Sequence, residues 1–190
     1  MRKMVLSILV ENTFGVLSRV SGLFSRRGYS IDSITAGPTE NTEYSRMTVV
    51  ATGDEQILDQ IKKQLAKLED VKEIKELVPS QSVCRELILV KVAVTPAERQ
   101  AVISIADIFR AKIVDVATDS LMIELTGNEA KLAAFINLLE GYTIKEIART
   151  GITGLSRGVG DMADYIDREK LKTYLAEYTI EMKPMLRLMF

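Results

Sequence analysis

Hydrophobic positions change period several times along the first 77 residues, and each change marks the boundary of a predicted element. Residues 3 to 10 are apolar at nearly every position, as in a largely buried strand. The next apolar residues recur at the spacing of one helical face: Val16, Leu17, Val20, Leu23 and Phe24. Gly28 follows two arginines and therefore predicts the end of this helix.

The same stretch contains two further strands, a second helix and a closing strand. Strands are predicted over Tyr29 to Ala36 and Tyr44 to Ala51, and the glycine and proline between them indicate a hairpin. Asp54 is predicted to cap a helix with the apolar face Ile57, Leu58, Ile61, Leu65 and Leu68. The fourth strand contains Val71, Ile74 and Leu77. This βαββαβ order is that of a ferredoxin-like sandwich, in which two helices cover one face of an antiparallel sheet.

The same order of elements begins again after a short polar linker over residues 79 to 82. Thr95 and Glu98 form a capping box with Pro96 at the first helical position, and Asn128 is predicted to cap the next helix. The strands of this repeat are predicted over Glu86 to Val94, Ile113 to Ala117, Leu121 to Leu125, and through Ile144 and Ile147. We therefore predict an α+β fold of two tandem ferredoxin-like βαββαβ sandwiches, which duplication of a small module would produce.

The residues after Gly151 have a different character. The glycine-rich segment 151–158 predicts an irregular arm, and Asp164 to Glu181 places apolar residues near one helical face that Pro184 would end. Residues 185–190 are too apolar to remain in water, so they pack on the core of this chain or dock on a partner. The predicted tail over 159–190 is therefore partly helical.

The composition excludes several classes of function. In this chain of 190 residues a net charge of −1 provides no broad cationic field, which argues against a general nucleic-acid-binding protein. There is no histidine and Cys84 is the single cysteine, so imidazole chemistry, imidazole metal ligands and an internal disulfide are missing. Cys84 is interpreted as a buried small hydrophobe. No signal-peptide core or bilayer-spanning run is present, which predicts no membrane association and a cytoplasmic location.

The usual catalytic and RNA-binding patterns are missing from the sequence. There is no phosphate-cradling loop or nucleophile elbow, and the carboxylates lie in charge-mixed stretches typical of solvated surfaces. No pair of groups for acid–base catalysis can be assembled from them. A sheet that binds RNA would carry aromatic residues on its central strands, where this sequence has only Tyr44.

The segment Glu11 to Val20, between the first strand and the first helix, has the features of a ligand-binding turn. Backbone N–H groups in the first turn of a helix have no intrahelical partner and favour a bound carboxylate. Gly15 lacks a Cβ and lets a small ligand approach the backbone. The alternative is purely structural: Asn12 or Thr13 is an N-cap, and Gly15 only loosens the turn.

Several ordered motifs also carry a family resemblance: residues 11–20, 23–34, 45–48, 60–68, 85–92, 108–116, 148–151 and 155–158. From residue 2 to about residue 158 the chain resembles the small, regulatory subunit of acetolactate synthase, also called acetohydroxyacid synthase. The resemblance implies an ACT domain over 1–78 for effector binding and dimerisation. It implies a C-terminal ferredoxin-like regulatory domain over 84–158, followed by the tail over 159–190.

The resemblance further implies a non-catalytic protein that docks on a catalytic large subunit, raises its activity and transmits feedback inhibition by a branched-chain amino acid, usually valine. Thiamine diphosphate, Mg and FAD are expected on that catalytic partner, and no cofactor or metal on this chain. The effector is expected between the ACT domains of a homodimer, and the implied contacts are Asn12, Thr13, Phe14, Gly15, Val16, Leu17 and Ser18, with Ser30 and Ile31 from the second copy.

Two features depart from the family pattern. Many relatives have asparagine at the position of Ser30, and a serine hydroxyl is shorter and has one donor instead of two, which implies a changed effector affinity or identity. The tail is the second departure, and we expect it to pack against an oligomer or the catalytic subunit. Two competing hypotheses remain: a free-standing ACT sensor for another enzyme, which needs no second module, and an enzyme with a ferredoxin-like fold, which needs a cleft of perturbed ionisable groups.

Overall fold

The structure is a computed structural model, and it describes residues 1–158. The elements of the first repeat are β1 (Arg2–Glu11), α1 (Val16–Arg27), β2 (Ser33–Pro38), β3 (Tyr44–Gly53), α2 (Glu55–Leu65) and β4 (Val71–Glu76). Those of the second are β5 (Ser82–Ala93), α3 (Pro96–Ile108), β6 (Lys112–Val116), β7 (Ser120–Gly127), α4 (Glu129–Leu139), β8 (Thr143–Arg149) and β9 (Thr153–Ser156). The predicted helix over 164–181 and its end at Pro184 lie outside the described residues.

The first four strands form an antiparallel sheet in the order β2-β3-β1-β4, which we call the first sheet. Its central strands pair over their whole length, from Arg2 opposite Gly53 to Glu11 opposite Tyr44. Alternate residues of β1 and β3 point towards α1 and α2, because side chains alternate between the two faces of a strand. The core between the sheet and the helices contains Met4, Leu6, Ile8, Val10, Val20, Leu23, Phe24, Met47, Val49, Leu58, Ile61 and Leu65.

The second repeat builds the same sandwich, with the strand order β6-β7-β5-β8. Its core lies between this second sheet and the helices α3 and α4, and contains Ile88, Val90, Val92, Val102, Ala106, Leu121, Ile123, Leu125, Leu132, Phe135 and Leu139. The predicted α+β fold of two tandem ferredoxin-like units is therefore confirmed. In both sheets the strand that follows the first helix, β2 or β6, lies at an edge.

The second strand starts later than the sequence predicted. It begins at Ser33 instead of Tyr29, because Gly28 ends α1 with a φ of 68° and the chain first turns back over the core. Tyr29 packs edge-on against Phe24 with ring centroids 6.3 Å apart, and Ile31 packs on the same core. The residues that looked like strand are therefore core contacts before the strand.

The predicted irregular arm after Gly151 is wrong over four residues, because Thr153–Ser156 form β9 and pair with Ser82 to Arg85 of β5. Gly154 makes this pairing possible: a Cβ there would lie 2.7 Å from Cys84 Sγ and 2.9 Å from the Val83 carbonyl oxygen. Cys84 is half-buried, not fully buried as predicted.

The segment that contains β9 also joins the two repeats. Thr35 Oγ1 on β2 donates a hydrogen bond to the Ile152 carbonyl at 3.0 Å, and Lys3 pairs with Glu129 at the start of α4. Among the helices of residues 1–158, none is long and apolar enough to cross a membrane.

Candidate functional site

The chain leaves β1 at Glu11 and enters α1 at Val16 through a turn of four residues. Gly15 is the N-cap, with a φ of 81°, and no side chain accepts a hydrogen bond from the first turn of the helix. The structural alternative is therefore wrong in its assignment, since neither Asn12 nor Thr13 caps α1. The first-turn N–H groups of α1 point out of the N-terminus without a side-chain acceptor, which leaves an anion-binding position open.

The other three helices of residues 1–158 are each closed by a side chain. Asp54, Thr95 and Asn128 accept from backbone N–H groups at the starts of α2, α3 and α4. The sequence predicted all three caps, and the structure confirms them. The start of α1 therefore differs from the starts of the other described helices in having no side-chain cap. Its position does not explain this, because α3 takes the same position in the second sandwich and is capped.

Arg19, one turn into α1, holds this turn against the loop before β4. Its guanidinium donates to both carboxylate oxygens of Asp70, at 2.6 Å from Nε and 2.7 Å from Nη2, and to the Phe14 carbonyl at 3.2 Å from Nη1. Thr13 Oγ1 lies 3.3 Å from Asp70 Oδ1. The hydrogen bonds from Arg19 lower the pKa of Asp70 below its usual 3.8, so this carboxylate stays ionised at neutral pH.

Asn12 holds the other side of the turn. Its backbone N–H donates to the Glu43 carbonyl at 2.7 Å, and its side-chain Nδ2 donates to the Thr42 carbonyl at 2.9 Å. Its Oδ1 accepts from Ser45 Oγ at 2.9 Å. Asn12 therefore fixes the end of the β2–β3 hairpin against the turn, and one N–H of its amide has no partner among these contacts.

The surface beside the open amides is apolar. Phe14 is fully exposed and Leu17 is 47% exposed, whereas Val16 is buried against the core. The sequence placed Leu17 on the buried face of α1; it lies outside that face because it follows Val16 by one position, a rotation of about 100° on a helix. Ser18 is exposed as well. Donors for a carboxylate thus lie next to exposed aliphatic and aromatic surface.

Ser30 and Ile31 are not near this turn within one chain. The register places Ser33 opposite Val50, which in turn lies opposite Val5 of β1, whereas the turn follows Glu11. Six residues of strand separate the two ends, about 20 Å at the usual rise of a strand. The two halves of the predicted site can therefore meet only if they come from different copies of the chain.

Three groups that shape the turn were missed by the sequence analysis. Arg19 carried a usable signal, because it lies four residues after Gly15 and therefore on the same side of the helix. Asp70 carried no signal in the sequence, because it lies 51 residues after Arg19 and reaches the turn only in the folded chain. Ser45 could be found only from the register that places it opposite Val10.

The arrangement is suited to binding and not to proton transfer. Within residues 1–158, no group of three or more histidine, cysteine, aspartate or glutamate residues could hold a metal ion. The carboxylate of Asp70 is engaged by a guanidinium, and the remaining groups of the turn are amides, hydroxyls and apolar side chains. Such a turn can hold a small anion with an apolar body.

Two family models match the chain. One, described as the small subunit of acetolactate synthase, matches residues 85–158. The other, described as the AHAS small subunit-like ACT domain, matches residues 6–73 and so includes the turn between β1 and α1.

Curated proteins and a solved structure are similar over the same length. The chain is 50% identical over 153 residues to the acetolactate synthase small subunit of Mycolicibacterium smegmatis, covering 80% of this chain and 90% of that protein. It is 46% identical over 155 residues to the acetolactate synthase isozyme 3 small subunit of Salmonella typhimurium, covering 81% and 95%. The crystal structure of the acetolactate synthase small subunit from Thermotoga maritima matches with a TM-score of 0.77 at 40% identity, and covers 84% of this chain and 100% of that one.

Proposed function

This chain belongs to the family of acetolactate synthase small subunits, and from that membership we propose that it binds a branched-chain amino acid, most simply valine, at the turn between β1 and α1. Membership of the family supports a regulatory, non-catalytic role beside a catalytic large subunit. Binding at the turn would transmit feedback inhibition to that subunit, and docking of this chain would raise its activity.

One observation supports the ligand site above the others: α1 begins at a glycine with no side-chain cap. A ligand carboxylate can accept from the N–H groups of Leu17 and Ser18, whose helical partners do not exist at this end of the helix. The aliphatic side chain of the ligand would lie against the exposed face of Leu17. Gly15 also suits the turn, because its φ of 81° is one that side chains rarely adopt and a Cβ there would lie 3.1 Å from Arg19 Nη1.

The edge position of β2 supports a homodimer that completes the site. If β2 pairs antiparallel with β2 of a second copy about a two-fold axis, the Ser33 end of one strand meets the Pro38 end of the other. Pro38 lies opposite Ser45, beside the turn that Asn12 fixes. Ser30 and Ile31 of the second copy would then face the turn, and the Ser30 hydroxyl can bond to the ligand.

Regulation in this proposal is a coupling between two sites. Valine can bias only those states for which it has different affinities, so the catalytic subunit must sense a change in the geometry or rigidity of the paired first modules. Residues 1–78 would bind the effector and form the dimer, residues 84–158 would form a C-terminal regulatory domain, and surfaces of both would contact the catalytic subunit. Thiamine diphosphate, Mg and FAD would be held by the catalytic subunit, and the complex would work in the cytoplasm.

Acetolactate formation by the purified catalytic subunit tests the proposal, measured with and without this chain across a valine titration. We expect the chain to raise the rate and valine to lower it again, with leucine and isoleucine titrations as controls for effector identity. Stimulation without sensitivity to any of the three amino acids would overturn the effector site and leave the subunit role. No stimulation of the cognate catalytic subunit by a folded chain would overturn the subunit role and restore the free-standing sensor.

A further inference from the structure

A cavity of about 530 Å³ lies between the two repeats. Arg2, Lys3 and Val5 at the start of β1 line one side of it, and Ala130 at the start of α4 lines the opposite side. The turn between β1 and α1 lies beyond the other end of β1, which has 10 residues, so the two places are about 30 Å apart. The volume is in the range of small-molecule sites, which occur preferentially between domains. The cavity is therefore a candidate site separate from the turn.

Apolar side chains line the inner part of the cavity and its edge towards solvent. Leu77 is 4% exposed and lies beside Cys84, since a Cβ on Gly154 would be 2.7 Å from Cys84 Sγ and 3.0 Å from Leu77 Cδ1. Val78 and Pro79, between β4 and β5, extend this lining towards solvent, and Val78 is 43% exposed. A ligand with an apolar body would cover these side chains and remove them from water, which is favourable.

The charged groups on the first-repeat side of the cavity belong to one balanced network. Arg2 Nε lies 2.8 Å from Glu55 Oε2, and Arg2 Nη1 lies 2.6 Å from Glu76 Oε1. Lys62 Nζ lies 3.3 Å from the second carboxylate oxygen of Glu76. Hydrogen bonds from Arg2 lower the pKa of both glutamates below the usual 4.5, so both stay ionised at neutral pH. Two cations thus face two anions, and this network leaves no charge for a ligand.

Two further ion pairs balance the charges between the repeats. Lys3 pairs with Glu129 at the start of α4, and this contact joins the two repeats beside the cavity. Arg149 Nε lies 3.2 Å from Glu86 Oε1, and the Glu86 side chain is 11% exposed. Each pair contains one cation and one anion. Neither pair therefore offers an unpaired charge to a ligand.

Arg85 is the cation of the cavity lining that remains. Its Nη1 donates to the Cys84 carbonyl at 2.7 Å, and within residues 1–158 no carboxylate pairs with its guanidinium. The remaining N–H donors of a guanidinium form a planar fork that matches the two oxygens of a carboxylate. Arg85 is exposed, so this carboxylate would lie at the mouth of the cavity. The apolar lining and the unpaired cation together are complementary to a carboxylate on an apolar body.

We propose that the cavity binds a small carboxylic acid in its ionised form, with the carboxylate on Arg85 and the apolar body against Leu77 and Ala130. Such a ligand contacts both repeats. It therefore adds to the contact between Lys3 and Glu129 and holds the two repeats more firmly in this arrangement. The cavity shares no residue with the turn between β1 and α1, so valine binding at the turn is not required.

Alkylation of Cys84 by iodoacetamide tests the proposal, because the single cysteine of the chain lines the cavity. The rate is measured at rising concentrations of 2-naphthoate, or of neutral 2-naphthamide, which has the same ring system without the charge. We expect saturating 2-naphthoate to slow alkylation about tenfold or more, and 2-naphthamide to need an about tenfold higher concentration for half-protection. No protection by 2-naphthoate would overturn the proposal. Equal protection by both compounds would also overturn it, since Arg85 would then have no part in binding.

Replacing the unpaired arginine tests the assigned cation. Arg85→Gln should raise the 2-naphthoate concentration for half-protection about tenfold and leave that of 2-naphthamide unchanged. Arg110→Gln is the matched control, because Arg110 is exposed at the end of α3 and does not line the cavity. Each rate is divided by the rate of the same variant without ligand, so a change in the reactivity of the thiol itself cancels. Equal shifts in both variants, or no shift in Arg85→Gln, would contradict the proposal.

Filling the cavity with a side chain is an independent test. Ala130→Phe places a ring in the cavity, and the matched Ala133→Phe places one at an exposed position of α4 that does not line it. In calorimetric titrations with 2-naphthoate, Ala130→Phe should weaken binding about tenfold or more, and Ala133→Phe should change it less than about twofold. Unchanged binding by an Ala130→Phe chain that melts at the wild-type temperature would show that the ligand does not lie in this cavity.

Discussion

The junction between β1 and α1 and the junction between β5 and α3 occupy the same place in the two sandwiches, but side chains close only the second. The first has four residues between strand and helix and begins its helix at an uncapped glycine. The second has two residues and a complete capping box, in which Thr95 accepts from the Glu98 N–H and Glu98 accepts from the Thr95 N–H at 2.9 Å. One repeat thus satisfies its helix N-terminus with its own side chains, and the other leaves it without a side-chain acceptor.

The fourth residue of each helix repeats the contrast. Arg19 of α1 binds Asp70 in the loop before β4, whereas Arg99 of α3 donates to the Ala117 and Thr118 carbonyls in the β6–β7 turn. Both arginines tie the start of a helix to a loop. Only the first also contacts the turn itself, through the Phe14 carbonyl. The two modules therefore differ at the N-cap of their first helix, which is an uncapped glycine in one and a complete capping box in the other.

Closing the first junction should erase the difference between the two repeats and have the largest effect on valine inhibition. Gly15→Asp places a carboxylate at the N-terminus of α1, where it repels the ligand carboxylate and competes for its donors. We expect the valine concentration for half-inhibition to rise about 100-fold, since like charges in contact cost several kcal/mol. Stimulation of the catalytic subunit should stay within about twofold of the wild-type value.

Gly158→Asp is the matched control for this change. Gly158 is exposed, has the same φ of 81° as Gly15, and has nothing within 4 Å of an added Cβ. Its valine titration should match that of the wild type. An unchanged titration for Gly15→Asp, in a chain that melts at the wild-type temperature, would show that the first junction does not bind the effector.

Loosening the first turn without closing it should have a smaller effect. Asp70→Asn removes the charge from the pair with Arg19 and leaves the shape of the side chain, so the turn remains but is held less firmly. We expect half-inhibition to require about tenfold more valine, because hydrogen bonds to charged groups contribute about 1.5–3 kcal/mol and this pair is partly exposed. Glu140→Gln, in the loop before β8, is the control at the equivalent place in the second repeat.

The same pair has a predictable pH dependence. The folded pKa of Asp70 is lowered, so its contribution to stability is complete above the unfolded value near 3.8 and is lost as the pH falls through the lower folded value. The difference in melting temperature between the wild type and Asp70→Asn should therefore be constant from neutral pH to about pH 5 and shrink below pH 4. A difference that persists at pH 2 would contradict the assigned ion pair.

Replacing Ser30 with asparagine tests the part of the proposed site that comes from the second copy. Ser30→Asn offers a second donor and a longer reach, and one added hydrogen bond of about 0.5–1.5 kcal/mol should tighten valine binding about three- to tenfold. Calorimetric titration with valine measures this directly.

A mixed dimer tests whether Ser30 acts across the interface. The wild-type chain is paired with a chain that carries both Gly15→Asp and Ser30→Asn. If each site combines the turn of one chain with residue 30 of the other, one site per dimer should bind valine with the tightened affinity. Binding of one valine at the wild-type affinity would instead place residue 30 in the site of its own chain.

Local signals in the sequence predicted most of the fold, and they failed where the structure depends on contacts between distant residues. The caps at Asp54, Thr95 and Asn128 are local and are confirmed. The strand β9 was missed because its glycines suit an irregular arm, and only pairing with β5, about 70 residues earlier, makes them strand residues. The same limit applies to the site: Gly15 was found from its own turn, whereas Asp70 arrives from another loop.

The smallest effect on inhibition is expected from opening the second junction, and this change tests whether an open helix terminus is sufficient for binding. Thr95→Ala removes the cap of α3 and should lower the stability by about 1 kcal/mol, or about 2–4 °C in melting temperature. Valine inhibition should not change, because this junction keeps its two-residue length and its Pro96. It also lacks the exposed apolar side chains that Phe14 and Leu17 provide in the first junction, and the proposed dimer brings no Ser30 of a second copy to it. The matched change at α4, Asn128→Ala, should destabilise by a similar amount and also leave inhibition unaltered. A second valine site in the Thr95→Ala chain would mean that the uncapped terminus alone recruits the ligand. Without one, an uncapped terminus is not sufficient, and the longer turn, its apolar surface or the dimer edge must add to the specificity of the first junction.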